Sequence, residues 1–279
     1  MLKNRVIPVI LLRNGAAVQS KGFRRYQHLG NPMTIVERLS HWASDELIYL
    51  DISREREYDL RRDDLADPNE GSILGILQQV SRRCFMPMAF GGGIRTLDDI
   101  TDRLRAGADK VVINTQALLE PEFIESAARR FGSQCVVVCA DVRRQASGQA
   151  EVFASGGTRP TGRRATDWAR EAQERGAGEL LLQSIDRDGG GEGYDLPLVT
   201  GVARAASIPV IALGGVGAWS HMYDGLRAGA SAVAAANIFN YSENSVFKAK
   251  EQLFSLRANV RAPSLGFDSP VRTAQGICA

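Results

Sequence analysis

Two glycine-rich turns follow apolar segments that are typical of buried strands. The first turn contains Gly91, Gly92 and Gly93, and the second contains Gly214 and Gly215. Glycine lets backbone N–H groups approach an anion closely, and the N-terminus of a following helix adds positive potential. Because tight turns also need glycine, a single turn of this kind says little. Two turns in corresponding positions predict two phosphate sites, and therefore a long substrate with a phosphate at each end.

Three aspartates follow other apolar segments, where parallel strands of a barrel would reach its active rim. They are Asp51, Asp141 and Asp188. A carboxylate in such a position can take up or release a proton during a reaction. We predict that Asp141 exchanges protons with a substrate, that Asp188 is a second proton-transfer or hydroxyl-binding group, and that Asp51 is a third polar group on the same face. A helix cap or a loop salt bridge is the plainer alternative for Asp141.

The elements that must position these residues alternate strictly along the chain. Apolar segments predict strands at Val6–Leu12, Leu47–Leu50, Met86–Phe90, Lys110–Ile113, Cys135–Ala140, Glu179–Ser184, Pro209–Leu213 and Ala232–Ala236. Helical periodicity predicts helices at Thr34–Ala43, Ile73–Arg83, Leu97–Ala106, Pro121–Phe131, Ala165–Arg175, Leu196–Ala205, Ser220–Ala228 and Val246–Leu256. Continuous apolar strands in strict alternation with helices favour parallel pairing with right-handed crossovers. Since eight repeats close a barrel, we predict a single α/β domain, a (β/α)8 TIM barrel over residues 1–260.

The chain also repeats itself. The segments Pro87–Ala108 and Pro209–Ala230 share a strand, a glycine pair and the ending Leu-Arg-Ala-Gly-Ala, and Glu46–Ile52 resembles Glu179–Ile185. Such self-similarity predicts two similar half-barrels. An open doubly wound sheet is the alternative fold, but it usually has fewer strands and one glycine-rich turn. Residues 261–279 have no periodicity, and we expect a disordered C-terminal tail there.

Four charged residues begin predicted strands and would therefore meet at the opposite, N-terminal end of the barrel. They are Arg5, Glu46, Lys110 and Glu179. Two positive and two negative charges can satisfy one another, so salt bridges that cap the barrel floor are one interpretation.

Composition argues against several classes of protein. The 279 residues carry a net charge of +2, which is too small to favour a nucleic-acid partner. No apolar segment approaches the roughly 18 residues of a membrane span, and the N-terminal one lacks a signal-peptide cleavage site. The cysteines, Cys84, Cys135, Cys139 and Cys278, share no C-x-x-C spacing, and only three histidines accompany them. We therefore expect a cytoplasmic protein with neither a metal site nor another cofactor.

Several short motifs occur together over residues 1–257. They are Arg5–Pro8, Asp45–Leu47, Leu50–Ile52, Gly91–Ile94, Gly107–Val111, Ile113–Thr115, Phe131–Gln134, Arg175–Glu179, Ser184–Gly189 and Gly193–Asp195. In this set the chain resembles the HisF family, the cyclase subunits of imidazole glycerol phosphate synthase. The resemblance implies a heterodimer with a HisH-like glutaminase subunit, whose ammonia passes through the barrel floor to a phosphate-bearing substrate.

The resemblance also assigns roles to residues of this sequence. Arg5, Glu46, Lys110 and Glu179 match the family's charged gate for ammonia, and Asp141 matches one of its two catalytic aspartates. The predicted phosphate sites consist of Gly92, Gly93, Asn114 and Thr115 in one half, and of Gly189, Gly214, Gly215, Ala236 and Asn237 in the other.

The sequence departs from the family pattern at three positions. Leu11 stands where the second catalytic aspartate belongs, at the end of the first strand. A leucine cannot move a proton, which argues against cyclase chemistry by two opposed carboxylates. Asn237 stands where a small serine is usual, and Gly190 stands where a threonine normally follows the first glycine.

The change within Ile10–Gly15 resembles a branch of HisF-like paralogues in surface-polysaccharide sugar pathways, which work with a glutaminase and a separate amidotransferase. This resemblance predicts a synthase subunit that supplies ammonia for turning an acetamido group of a phosphorylated or nucleotide-linked sugar into an acetamidino group. The histidine-pathway cyclase is the first alternative. A non-catalytic barrel that activates the glutaminase and conducts ammonia is the second. The charged gate argues against an isomerase of the sister HisA type.

Overall fold

The computed structural model describes residues 2–53, 58, 72–241 and 245–263. The strands in these ranges are β1 (Arg5–Arg13), β2 (Ala16–Lys21), β3 (Arg25–Gly30), β4 (Leu47–Asp51), β5 (Met88–Gly91), β6 (Lys110–Ile113), β7 (Val136–Arg144), β8 (Ala150–Ala154), β9 (Arg159–Arg164), β10 (Glu179–Ser184), β11 (Val210–Leu213) and β12 (Ala232–Ala235). The α-helices in these ranges are α1 (Pro32–His41), α2 (Ile73–Ser81), α3 (Leu97–Arg105), α4 (Thr115–Leu119), α5 (Glu122–Phe131), α6 (Ala165–Glu174), α7 (Leu196–Ala205), α8 (Trp219–Arg227) and α9 (Ser245–Ser255).

Eight of these strands form a closed parallel barrel, which confirms the predicted (β/α)8 fold. Their order is β1, β4, β5, β6, β7, β10, β11 and β12, after which β12 pairs with β1. The pairing of β7 with β10 completes the circle and runs in register from Val137 opposite Glu179 to Val142 opposite Ser184. Because all eight strands point the same way, their C-terminal ends share one rim and their N-terminal ends share the floor.

Alternation along each strand separates two apolar layers. In β1, Ile7, Val9 and Leu11 point into the barrel, whereas Ile10 and Leu12 pack in the layer between strands and helices. The inward residues form what we call the luminal cluster. Its buried members are Ile7, Val9, Leu11, Val18, Ile48, Ala89, Val112, Val137, Cys139, Leu181, Ile211, Leu213, Ala232 and Ala234.

The two predicted half-barrels are visible in the backbone of their glycine turns. Gly92 and Gly214 have φ values of 100° and 103°, and the glycines that follow them, Gly93 and Gly215, have φ values of 64° and 97°. This left-handed region is open to glycine and costly for other residues. Corresponding positions of the repeat thus adopt corresponding conformations.

Two antiparallel hairpins extend barrel strands beyond the rim. The hairpin of β8 and β9 continues β7. The hairpin of β2 and β3 continues β1 and is absent from the prediction, because β3 is polar and mostly exposed. The pair Asn14-Gly15, with φ values of 49° and 79°, is the turn signal that could have revealed it.

The remaining differences from the prediction are small. The first helix begins at Pro32 rather than Thr34, and the short helix α4 is not predicted. The predicted tail lies outside the described residues from position 264 onward. No helix in the described ranges is long and apolar enough to cross a membrane. Within the same ranges, no group of three His, Cys, Asp or Glu side chains could hold a metal ion.

A buried ion pair ties the last helix to the barrel. Lys250 of α9 donates from Nζ to Asp45 Oδ1 at 2.7 Å and to the Ala43 carbonyl at 2.5 Å, and the Val6 backbone N–H donates to Asp45 Oδ2 at 2.9 Å. The side chains of Lys250 and Asp45 are only 3% and 2% exposed. Loss of Lys250 would therefore leave Asp45 buried with a weaker partner, Arg261, whose side chain is 69% exposed and whose Nε lies 3.9 Å from Asp45 Oδ1.

We expect Lys250→Met to lower the free energy of unfolding by about 3 kcal/mol, because Asp45 would lose its buried cation. Urea unfolding followed by circular dichroism measures the change. The control is Arg83→Met, which removes an ion pair with Glu37 whose side chains are 56% and 47% exposed and should cost less than about 0.5 kcal/mol. Equal losses in the two variants would contradict the assignment.

Candidate functional site

The four predicted floor residues form one closed ring of alternating charge. Arg5 donates to Glu46 and, through Nη2, to Glu179 Oε2 at 2.9 Å. Lys110 Nζ donates to Glu46 Oε1 and to Glu179 Oε1, both at 2.9 Å. Burial alone would raise the pKa of Glu179, but the hydrogen bonds and charges of Arg5 and Lys110 outweigh it and leave that pKa lowered. The salt bridges expected from the sequence are therefore present, and they close the floor.

Above this ring the inside of the barrel is apolar until it reaches Asp141. The luminal cluster lines the intervening space, and its side chains offer no charge to a small molecule between floor and rim. Asp141 follows Val137 and Cys139 at a spacing of two residues along β7, so it points inward like them. The structure thus places this predicted acid/base residue at the top of an apolar lumen.

Asp141 is buried and held from both sides. Asn114 Nδ2 donates to its Oδ2 at 2.7 Å, and the Cys139 thiol lies 3.5 Å from its Oδ1. Burial raises the pKa of Asp141 to about 6, the nearby charge of Asp188 adds to this, and the hydrogen bonds of Cys139 and Asn114 oppose it. A carboxyl group with a pKa near neutrality suits proton transfer in either direction.

Leu11 faces Asp141 across the barrel. It lies on β1, which is four strands away from β7 in either direction around the circle of eight. Leu11 is buried, belongs to the luminal cluster, and pairs in register with Val18 of β2 and Leu50 of β4. Within the part of the chain that the structure describes, the side of the lumen opposite the buried carboxylate is therefore hydrocarbon and contributes no proton-transfer group.

The first predicted phosphate site is assembled at the ends of β5 and β6. A side chain at position 92 would meet the Asp51 carbonyl oxygen at 2.1 Å, so only glycine fits there. Arg103 Nη2 donates to the Gly92 carbonyl at 2.8 Å and fixes the turn. Thr115 Oγ1 accepts from the Ser155 backbone N–H at 2.9 Å, which brings the β8–β9 hairpin beside this site.

The second predicted phosphate site lies at the ends of β10, β11 and β12. The backbone N–H of Gly193 donates to the Gly215 carbonyl at 2.7 Å. Asn237 Nδ2 donates to the Ser20 carbonyl at 2.9 Å, and a side chain at position 189 would meet the same oxygen at 2.4 Å. Ser20 of the β2–β3 hairpin therefore lies close to both Gly189 and Asn237. Gly214 follows β11, and Ala236 follows β12.

Asp188 accepts hydrogen bonds from the turn between β2 and β3. Its Oδ2 accepts from Ser20 Oγ at 2.6 Å and from the Phe23 backbone N–H at 3.2 Å, and its carbonyl accepts from Gly22 at 3.0 Å. Burial raises the pKa of Asp188, although these hydrogen bonds oppose the shift. The carboxylate predicted to bind substrate or move protons here holds the hairpin over the mouth.

Asp51 is also engaged by neighbouring side chains. Ser53 donates to its Oδ1 from the backbone N–H at 2.9 Å and from Oγ at 2.5 Å, and Tyr58 donates to its Oδ2 at 3.0 Å. Burial raises its pKa above the ordinary range. Asp51 therefore lies on the predicted face, but it supports the end of β4.

Sequence reasoning missed three residues that shape the site. Cys139 lies two positions before Asp141, so strand periodicity was the available signal. Ser20 and Arg103 act through partners that are distant in the sequence, and no local pattern marks them.

The fold and site define a class: a (β/α)8 barrel of two similar halves, with a charged ring at the floor and a buried aspartate at the rim. A sequence model of the family described as "Histidine biosynthesis protein" matches residues 5–245. The imidazole glycerol phosphate synthase subunit HisF of Gluconacetobacter diazotrophicus is 41% identical over 261 residues, which cover 94% of this chain and 97% of that relative. The chain belongs to the HisF family of histidine biosynthesis proteins.

The raised pKa of Asp141 has a consequence for stability. The folded protein holds the proton up to about pH 6, whereas an ordinary aspartate releases it near 3.8. Between these values folding takes up a proton, so stability falls as the pH rises through this window and stays lower above it.

We therefore expect Asp141→Asn to raise the free energy of unfolding by about 2 kcal/mol at neutral pH, and the gain to vanish at about pH 4. Urea unfolding at several pH values measures it. The control is Asp167→Asn, because the Asp167 side chain is 59% exposed and should not show this pH dependence. A gain that is independent of pH would contradict the raised pKa.

Proposed function

We propose that this chain is the synthase subunit of a glutamine amidotransferase complex. In this proposal it receives ammonia from a HisH-like glutaminase at the floor and supplies it to a phosphorylated or nucleotide-linked sugar. A separate amidotransferase takes part in turning an acetamido group of that sugar into an acetamidino group, in surface-polysaccharide biosynthesis. The protein then acts as an ammonia-transfer subunit, and phosphate groups of the acceptor bind at the glycine turns.

The observation that carries this proposal is that Asp141 faces Leu11 across the lumen. Ring closure and cleavage by opposed general acid and base need two proton-transfer groups within reach of one substrate. Among the described residues, the β7 side of the lumen ends in Asp141, whereas the β1 side ends in Leu11 and Val18. The other rim carboxylates, Asp51 and Asp188, accept hydrogen bonds from neighbouring groups of the protein. A single buried carboxylate suits the delivery of nitrogen better than a two-carboxylate cyclisation.

The floor and lumen support the ammonia route. The four ring residues satisfy one another, so a partner that docks on the floor can rearrange ion pairs there without leaving a net charge. Above the ring, apolar side chains admit a small uncharged molecule and disfavour ions, because a charge would lose its hydration there. Ammonia meets this requirement.

The histidine-pathway cyclase is the second candidate function, and the comparisons favour it. The HisF relative shares 41% of its residues with this chain over almost the full length of both. Under this candidate, the barrel would tolerate Leu11, and Asp141 would serve the cyclase reaction alone.

The proposal is tested by following amide nitrogen from isotope-labelled glutamine. The purified barrel, its glutaminase and a candidate amidotransferase are incubated with a nucleotide-linked N-acetyl amino sugar, and the product is analysed by mass spectrometry. We expect label in an acetamidino group, and omission of the barrel should abolish it. Label that enters the product equally well without the barrel would refute the proposal.

A prediction for the ring follows from the same route. We expect Lys110→Met to reduce glutamine-dependent turnover about tenfold and ammonium-dependent turnover less than twofold, because free ammonia can enter from the mouth. The matched control is Arg170→Met, which breaks an exposed ion pair with Asp167 away from the floor and should change neither rate. An equal loss of turnover with glutamine and with ammonium would contradict the assignment of Lys110 to an ammonia gate.

A further inference from the structure

The Asn114 side chain presents an unsatisfied acceptor beside Asp141. Its Nδ2 donates to Asp141 Oδ2 at 2.7 Å. Its Oδ1 is buried and has no hydrogen-bond partner among the residues that the structure describes. Buried polar atoms are nearly always hydrogen-bonded in folded proteins, so an isolated acceptor at a candidate site points to a ligand that donates.

The orientation of this amide is set by its neighbour. An ionised carboxylate can only accept hydrogen bonds, so Asn114 must turn its NH2 group towards Asp141 and its carbonyl away. The second carboxylate oxygen of Asp141 already faces the Cys139 thiol at 3.5 Å. The result is a chain of hydrogen bonds from Cys139 through Asp141 to Asn114, and its one open end is an acceptor.

An acceptor does not suit a phosphate group. A phosphate dianion offers only acceptor oxygens and would be repelled by a carbonyl and by the neighbouring carboxylate. With the amide in this orientation, the side chain of Asn114 therefore opposes its predicted role as a phosphate ligand. The matching chemistry is a small group with N–H or O–H donors and no negative charge.

The position of this acceptor links it to the lumen. Asn114 follows Val112 at a spacing of two residues, and Val112 belongs to the luminal cluster. Asn114 directly follows β6, and β6 pairs from Val111 to Ile113 with β7, the strand that carries Asp141. The open end of the hydrogen-bond chain thus lies where the apolar lumen meets the rim.

We propose that Asn114 Oδ1 and the Asp141 carboxylate bind ammonia as it leaves the lumen. The nitrogen donates one hydrogen bond to the Asn114 carbonyl and another to Asp141, and its lone pair remains available to an acceptor above. This inference rests on the proposed function, because it assumes that ammonia arrives through the barrel.

The site depends on the protonation of Asp141. When Asp141 is protonated it becomes a donor, and the Asn114 amide can rotate to give it the carbonyl, which removes the open acceptor. The titratable groups that face Asp141 are the Cys139 thiol and the Asp188 carboxylate. Since burial raises the pKa of Asp141 to about 6, ammonia binding should weaken as the pH falls below this value.

The test uses the side-chain carboxyl resonance of Asp141 in the full-length chain, assigned with Asp141→Asn. The titration midpoint is measured in ammonium chloride and in sodium chloride at equal ionic strength. We expect ammonium, which is the protonated form of ammonia and donates the same hydrogen bonds to Asn114 and Asp141, to lower the midpoint by roughly half a pH unit, because its binding stabilises the carboxylate. Equal midpoints in the two salts would overturn the proposal, and this comparison needs no variant.

Two variants test whether Asn114 is responsible for the effect of ammonium on the titration midpoint. In Asn114→Leu the midpoint should no longer depend on the salt. Asn237→Leu should retain the dependence, although it is the same change at another asparagine whose buried carbonyl has no hydrogen-bond partner among the described residues. A salt effect that survives in Asn114→Leu would refute the role of Asn114.

Glycerol replaces ammonium in a further arm of the test. If glycerol lowers the midpoint and ammonium does not, the acceptor serves a substrate hydroxyl, and the ammonia proposal is wrong. None of these titrations contains a sugar acceptor or a glutaminase, so their outcome is independent of the labelling experiment that tests the proposed function.

Discussion

Each strand of the barrel shares backbone hydrogen bonds with two neighbours, and the pairing of β7 with β10 closes the circle. This closure leaves no free edge and fixes which ends meet. Residues that begin strands converge on the floor, and residues that end strands converge on the rim. Two features follow from this one constraint. One is the charged ring at the floor, and the other is the position of Leu11 opposite Asp141 across the lumen.

The two ends of the lumen differ in how their buried charges are compensated. At the floor, two cations and two anions satisfy one another, so burial there is compensated. At the rim, Asp141 is buried, and among the described residues its side-chain hydrogen bonds come from an amide and a thiol rather than from a cation. Burial therefore raises the pKa of Asp141, so its carboxyl group can exchange a proton near neutral pH. The same burial lowers the stability of the folded protein at that pH.

Much of this architecture could be predicted from the sequence. The eight strands are continuous apolar segments, and the repeated glycine turns reveal two halves, since both signals are local. The floor ring was predictable because each of its members is the first residue of a strand or, in the case of Glu46, directly precedes one. The partners of Asp188 and Asn114 were not predictable. Asp188 binds Ser20, which is 168 positions away, and Asn114 turns to Asp141 rather than to a phosphate, because burial makes that contact favourable.

In our proposal, one buried carboxylate that faces a leucine directs this barrel away from cyclisation. The most direct measurement is the formation of imidazole glycerol phosphate from the histidine-pathway bisphosphate by the purified chain with ammonium salt, compared with Leu11→Asp. We expect no turnover by the natural chain and measurable turnover by Leu11→Asp, in which a second carboxylate faces Asp141. Efficient turnover by the natural chain would show a working cyclase and refute the proposed effect of Leu11.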